Sequence, residues 1–220
     1  MNFELIMDKK LKAAIKYYDK FSNVYDWFSP KWYYHQARVY AIEQLDLKSG
    51  DTVLNLPCGT GQNFEYFQKH LNGSGLIIGV DLSEGMLEKA KIKKANNDWT
   101  NIEIIKEDAT QINAEWVANH FDSSVKIDAI LCDLGLSGFP DWEQVIDNML
   151  DLLEPNGRLV IMDWYIPKPT LRGAFIKWIG KGEVNRPIYQ YLKSKVANFE
   201  VNTSFNRGGV FVATGIKKIV

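Results

Sequence analysis

A pair of glycines and a set of strand-end acids carry the chemistry of this chain. Thr52-Val53-Leu54-Asn55-Leu56 runs through Pro57-Cys58 into Gly59-Thr60-Gly61. An apolar run ending in Gly-x-Gly reads as a buried strand that turns sharply into a helix. Gly59 and Gly61 remove Cβ atoms where a ligand must approach the backbone closely. A second apolar run, Leu76-Ile77-Ile78-Gly79-Val80, ends in Asp81. Ligands of open α/β sheets sit beyond the carboxyl ends of the strands, where a carboxylate can accept both hydroxyls of a ribose. These residues predict an adenosine-bearing cofactor.

What is missing narrows the choice. A dinucleotide fold needs a third glycine, in G-x-G-x-x-G/A, for close packing around a pyrophosphate. Here that position is Phe64, and no G-x-x-x-x-G-K-[ST] cradle for a nucleoside triphosphate occurs. A nucleoside without a phosphate chain fits what remains. The stretch Val53 to Gly61 resembles motif I of the class I S-adenosylmethionine-dependent methyltransferases, whose usual form is V-L-D-L-G-C-G-T-G. Gly79 to Leu87 (GVDLSEGML) is similar to the segment that follows it, and Lys106-Glu107-Asp108-Ala109 resembles the next motif.

The resemblance implies a set of cofactor-binding positions: Asn55, Pro57, Gly59, Gly61, Asp81, Leu82, Met86, Asp108 and Ala109. Asp81 would take the ribose hydroxyls and Asp108 the adenine amino group. Asp108 could instead cap a following helix, and Met86 suits equally a core position. The family usually has an acid where Asn55 stands, helping to hold the methionine ammonium. Asparagine keeps an acceptor oxygen and loses the charge. Pro57 replaces a glycine and fixes φ at the loop entrance. These two departures are the only support for an alternative: a protein that binds S-adenosylmethionine as an accessory or regulator without turnover.

The loop after the fourth strand, Leu131-Cys132-Asp133-Leu134-Gly135-Leu136-Ser137, lines the methionine moiety and the acceptor in the family. Asp133 can hold the ammonium, offsetting the charge lost at Asn55, touch the acceptor, or simply bond nearby backbone. There is no N-P-P-Y or D-P-P-Y here, which weighs against methylation of nucleic-acid bases or glutamine amides. Tyr17-Tyr18-Asp19-Lys20-Phe21 and Tyr25-Asp26-Trp27-Phe28 resemble the opening of the ubiquinone/menaquinone C-methyltransferases and related phospholipid N-methyltransferases. Tyr17 and Tyr25 are the cofactor-side candidates of that segment. A phospholipid head-group amine or a quinol-like acceptor follows from the resemblance. A quinol carbon or phenol oxygen benefits from a base, for which His35, Asp133 and Asp163 qualify by loop or strand-end location.

The elements that position these residues alternate. Strands are predicted over 52–56, 76–80, 102–105, 126–132, 157–164, 196–202 and 209–217, with helices near 62–71, 83–96, 111–119, 141–153 and 170–181. This is an α/β chain: a single doubly wound, seven-stranded Rossmann-like methyltransferase sheet with an antiparallel last strand. Residues 48–220 form the methyltransferase domain, and residues 1–47 read as helices that lid its carboxyl edge, part of the same domain.

Composition sets the remaining bounds. A formal net charge of −1 gives no electrostatic case for a nucleic-acid partner. His35, His70 and His120 are scattered, so no metal site is predicted. Cys58 and Cys132 read as buried residues of a reducing compartment rather than a disulfide. With no signal peptide or membrane-spanning run, a cytoplasmic location is expected. Lys9, Lys10, Lys12, Lys16 and Lys20 beside Leu11, Ile15 and Phe21 match an interfacial helix docking peripherally on a membrane, but the solvated face of an ordinary helix is the better match. The pattern leaves oligomeric state open.

Overall fold

Strand β1 spans Thr52–Asn55, β2 Leu76–Asp81, β3 Ile102–Lys106, β4 Ile127–Asp133, β5 Leu153–Trp164, β6 Val196–Ser204 and β7 Val210–Lys217. They form one sheet in the order β3-β2-β1-β4-β5-β7-β6 in the computed structural model, which describes residues 31–180 and 182–218. The pairs from β3 to β5 are parallel, while β7 runs antiparallel to both β5 and β6. The predicted antiparallel last strand is therefore present. The strand order reverses between β1 and β4, so the crevice of this sheet opens at the ends of those two strands, at Asn55 and Asp133.

Helices cover both faces: α1 (Lys31–Glu43), α2 (Phe64–Leu71), α3 (Glu84–Asn96), α4 (Ala114–His120), α5 (Trp142–Leu152), α6 (Leu171–Gly180) and α7 (Ile188–Lys195). Alternate residues of each central strand feed opposite cores. Val53 and Val160 join Ala37, Phe64, Phe67 and Leu87 on one side, and Leu54 and Ile161 join Trp116, Ile146, Met149 and Leu192 on the other. Ser83 caps helix α3, its Oγ accepting the Met86 N–H at 3.3 Å, and Met86, Leu87 and Ala90 turn inward.

Two local expectations are corrected. Helix α7 was not predicted, because its buried anchors are only Ile188 and Leu192, too few to set a helical period in eight residues. Strand β5 starts at Leu153 rather than at 157, because Pro155-Asn156-Gly157 is a bulge inside it. The register jumps from Ile127↔Leu153 to Ala129↔Arg158, and Asn156 takes φ +67 to make the jump. Of the predicted lid only residues 31–47 are described, and there Ala37, Ala41 and Ile42 of α1 are buried in the core beside Val160 and Val212.

Candidate cofactor and acceptor site

The two motif glycines do different work. Gly59 has φ +54, and a Cβ placed on it would meet nothing within 4 Å, so it borders open space. Its N–H donates to Asp81 Oδ2 at 2.9 Å, while Asp81 Oδ1 accepts from Ser83 N at 2.9 Å. Asp81 is thus aimed by two backbone donors and remains half-buried at the end of β2. Gly61, at φ +71, faces inward instead: an added Cβ would lie 2.7 Å from the Phe64 ring. Gly79 of β2 would collide with the same ring at 2.8 Å. Phe64, the residue that breaks the dinucleotide fingerprint, fills the volume that these two glycines leave.

Pro57 and the β4 loop are fitted to one another. Leu56-Pro57 is a cis peptide, and a Cβ on Gly135 would come within 2.4 Å of Pro57 Cδ. Leu134, next to Asp133, sits in the left-handed region at φ +56, held by its N–H donating to Met162 O at 2.7 Å.

Between these loops lies a buried polar cluster. Asp133 Oδ1 accepts from Asn63 Nδ2 at 2.8 Å and from Asn55 Nδ2 at 3.2 Å, while Asp133 Oδ2 pairs with Arg38 Nη2 at 3.4 Å. Asn55 Oδ1 accepts from Asn63 Nδ2 at 3.1 Å, and Asn55 Nδ2 also faces Leu131 O at 3.3 Å. An acid at 55 would set a second carboxylate against Asp133; asparagine donates to it instead. The negative charge of this crevice resides on Asp133.

Arg38 and Asn63 escaped sequence reasoning. Arg38 lies in a helix with no motif around it, 95 positions from its partner Asp133. Its side chain is 3% exposed, yet Nε and Nη1 have no hydrogen-bond partner. A buried guanidinium with two open donors is complementary to a carboxylate. Together with open-sided Gly59 and the aimed Asp81, this donor set fits an amino-acid-bearing nucleoside.

The remaining predicted residues divide. Asp108 Oδ1 accepts from Thr110 N and Oγ1, both at 2.9 Å, and so caps the short 3-10 turn Ala109–Gln111, in which Ala109 is buried. Leu82 is half-buried beside Asp81, and Met86 is buried in α3. Asp163 is fully buried, with Oδ2 on Ser137 N at 2.9 Å and Oδ1 on Trp164 N at 2.7 Å. Burial raises its pKa from 3.8 to about 6 against the pull of those donors. Of the three base candidates only His35 is exposed, with Nδ1 3.0 Å from Tyr66 Oη; Asp133 and Asp163 are enclosed and committed to other bonds. Tyr17 and Tyr25 lie outside the described residues. Cys58 and Cys132 are free and buried, where burial lifts both thiols well above their usual range.

The model of a methyltransferase domain matches residues 47–205, well over half the chain. The chain belongs to the class I S-adenosylmethionine-dependent methyltransferases. The chain is 29% identical over 178 residues to a demethylmenaquinone methyltransferase of Desulfitobacterium hafniense, a match covering 74% of the chain and 65% of that relative. It is 29% identical over 205 residues to the demethylmenaquinone methyltransferase of Staphylococcus saprophyticus, covering 87% of the chain and 82% of the relative. Among solved structures, a SAM-dependent methyltransferase from Aquifex aeolicus superposes with a TM-score of 0.61 at 16% identity, covering 82% of this chain and 89% of that one, a likeness of fold.

Proposed function

We propose that this methyltransferase transfers a methyl group to a quinol-like aromatic acceptor. The observation that carries the reading is the crevice at the β1/β4 switch point, where open-sided Gly59, Asp81 and the half-partnered Arg38 converge. When bound, S-adenosylmethionine would supply a sulfonium methyl whose carbon the acceptor attacks in line with the departing sulfur, leaving S-adenosylhomocysteine. Asp81 would accept the ribose hydroxyls, and the open Nε and Nη1 of Arg38 would take the amino-acid carboxylate. Asp133 would give the adjacent ammonium a negative environment while Asn55 and Asn63 keep its carboxylate in place. Asp108 would reach the adenine amino group only with the oxygen that does not cap the 3-10 turn. Residues 48–220 would act as the methyltransferase domain, with the segment before them as its cover.

The quinol acceptor is supported by the relatives, whose names specify demethylmenaquinone. Attack by a ring carbon is helped by removing a hydroxyl proton, and accessible His35 is the residue that would take it.

Release of S-adenosylhomocysteine is the test, measured separately with a reduced, unmethylated naphthoquinone and with phosphoethanolamine. Turnover of the quinol and none of the amine is expected. Turnover of the amine alone overturns the acceptor, and no cofactor binding at all overturns the reading.

A further inference from the structure

Helix α6 wears its apolar stripe on the outside. Leu171, Ala174, Phe175 and Trp178 recur at i, i+3, i+4 and i+7, the spacing that normally faces a core. Here Leu171 is 93% exposed, Phe175 58% and Trp178 67%, while Gly173 and Ile176 on the opposite side face the protein. The helix is anchored firmly in this pose. Arg172 donates to Tyr33 Oη at 3.3 Å and to the carbonyl of Asn206, and its guanidinium lies 5.4 Å over the Trp164 ring. A contiguous exposed apolar face on a well-anchored helix marks an interaction surface.

Charge specifies what it meets. The protein has a net charge of −1, yet Lys168 to Gly182 carries four basic residues and no acidic one: Lys168, Arg172, Lys177 and Lys181. Lys168, Arg172 and Arg207 also line one shallow cleft of about 310 Å³ at the foot of α6. An apolar stripe with tryptophan, flanked by cations and by a basic cleft, suits an anionic phospholipid surface: rings and aliphatics enter the head-group boundary and the cations meet phosphate. Among the described residues no helix is long and apolar enough to cross a membrane, so contact through α6 is in-plane.

We infer that α6 is an interfacial helix that docks this methyltransferase on anionic membrane, with Leu171, Phe175 and Trp178 inserted. The inference rests on the proposed acceptor class for its purpose, though not for its surface. It concerns α6 and not the N-terminal lysines, which lie outside the described residues.

The full chain is sedimented with vesicles of phosphatidylglycerol and phosphatidylcholine, and with phosphatidylcholine alone. Binding to the anionic vesicles that weakens in 0.5 M salt is expected, with at least a tenfold loss for the Leu171→Ser/Phe175→Ser double variant. Because both side chains are exposed, the variant keeps the melting temperature and its affinity for S-adenosylhomocysteine. Failure of the wild type to bind, or equal binding by the variant, overturns the inference. So does a wild-type dimer that the double variant turns into a monomer without any vesicle binding. A short-chain, water-soluble quinol separates the two readings. Its turnover without vesicle binding sinks docking and spares the acceptor, whereas vesicle binding without its turnover does the reverse.

Discussion

Asp81 and Asp133 end the two strands that flank β1, and they are held in opposite ways. Asp81 is gripped by backbone N–H groups of Gly59 and Ser83 and stays half-open. Asp133 is gripped by the side chains of Arg38, Asn55 and Asn63 and is 8% exposed. Backbone donors leave a carboxylate able to accept more bonds toward solvent or ligand. Side-chain donors enclose it and turn its charge into a fixed field for whatever lies beside Arg38. Two strand-end acids in one sheet therefore serve as a hand and as a foundation.

The foundation is broken most severely at Arg38. Arg38→Ala leaves Asp133 charged, buried and short of its cation, and should cost about 3–5 kcal/mol of stability in denaturant unfolding. A loss under about 1 kcal/mol would mean that Asp133 needs no partner. Next comes Asn55→Asp, which brings the family's usual acid back. Because it replaces a donor by a second carboxylate against Asp133, it should lower stability by about 2–4 kcal/mol and weaken cofactor binding. A gain in activity would show that the charge belongs at position 55.

A third acid sharpens the contrast. Asp163 is buried like Asp133 and held by backbone like Asp81, and its pKa is raised to about 6. Since the folded pKa lies above the unfolded one, its contribution favours the fold below pH 4 and is lost as pH rises to about 6. Relative to Asp163→Asn, the wild type should lose about 2–3 kcal/mol between pH 4 and pH 7, read from parallel unfolding curves. Parallel pH profiles would remove the buried-acid account. The smallest effect on the fold falls on the hand: Asp81→Asn should reduce affinity for S-adenosylhomocysteine by roughly ten- to hundredfold. Calorimetry reads this, and unchanged affinity would sever Asp81 from the ribose.

Much of the frame was legible in the chain. The apolar runs located all seven strands: burial on both faces leaves such runs in the central strands, while the edge strands β3 and β6, largely half-buried or exposed, show them more weakly. Helix α7 was illegible because two anchors in eight residues define no period. Asp108 was read as ambiguous between ligand and cap, and it does cap the turn after it. The acids of the site were visible as strand ends; their environments were not.

By itself, the sequence determined the order of elements, the glycines where backbone must be bare, and membership of the methyltransferases, since each is set by residue type and short spacing. The tertiary structure alone decided which acid is open and which is enclosed. The partners of Asp133 lie 70 to 95 positions away, so only the folded sheet brings Arg38, Asn55 and Asn63 within hydrogen-bond range. It also decided that the stripe on α6 faces outward, since a helical period tells which residues share a face and not which way that face turns.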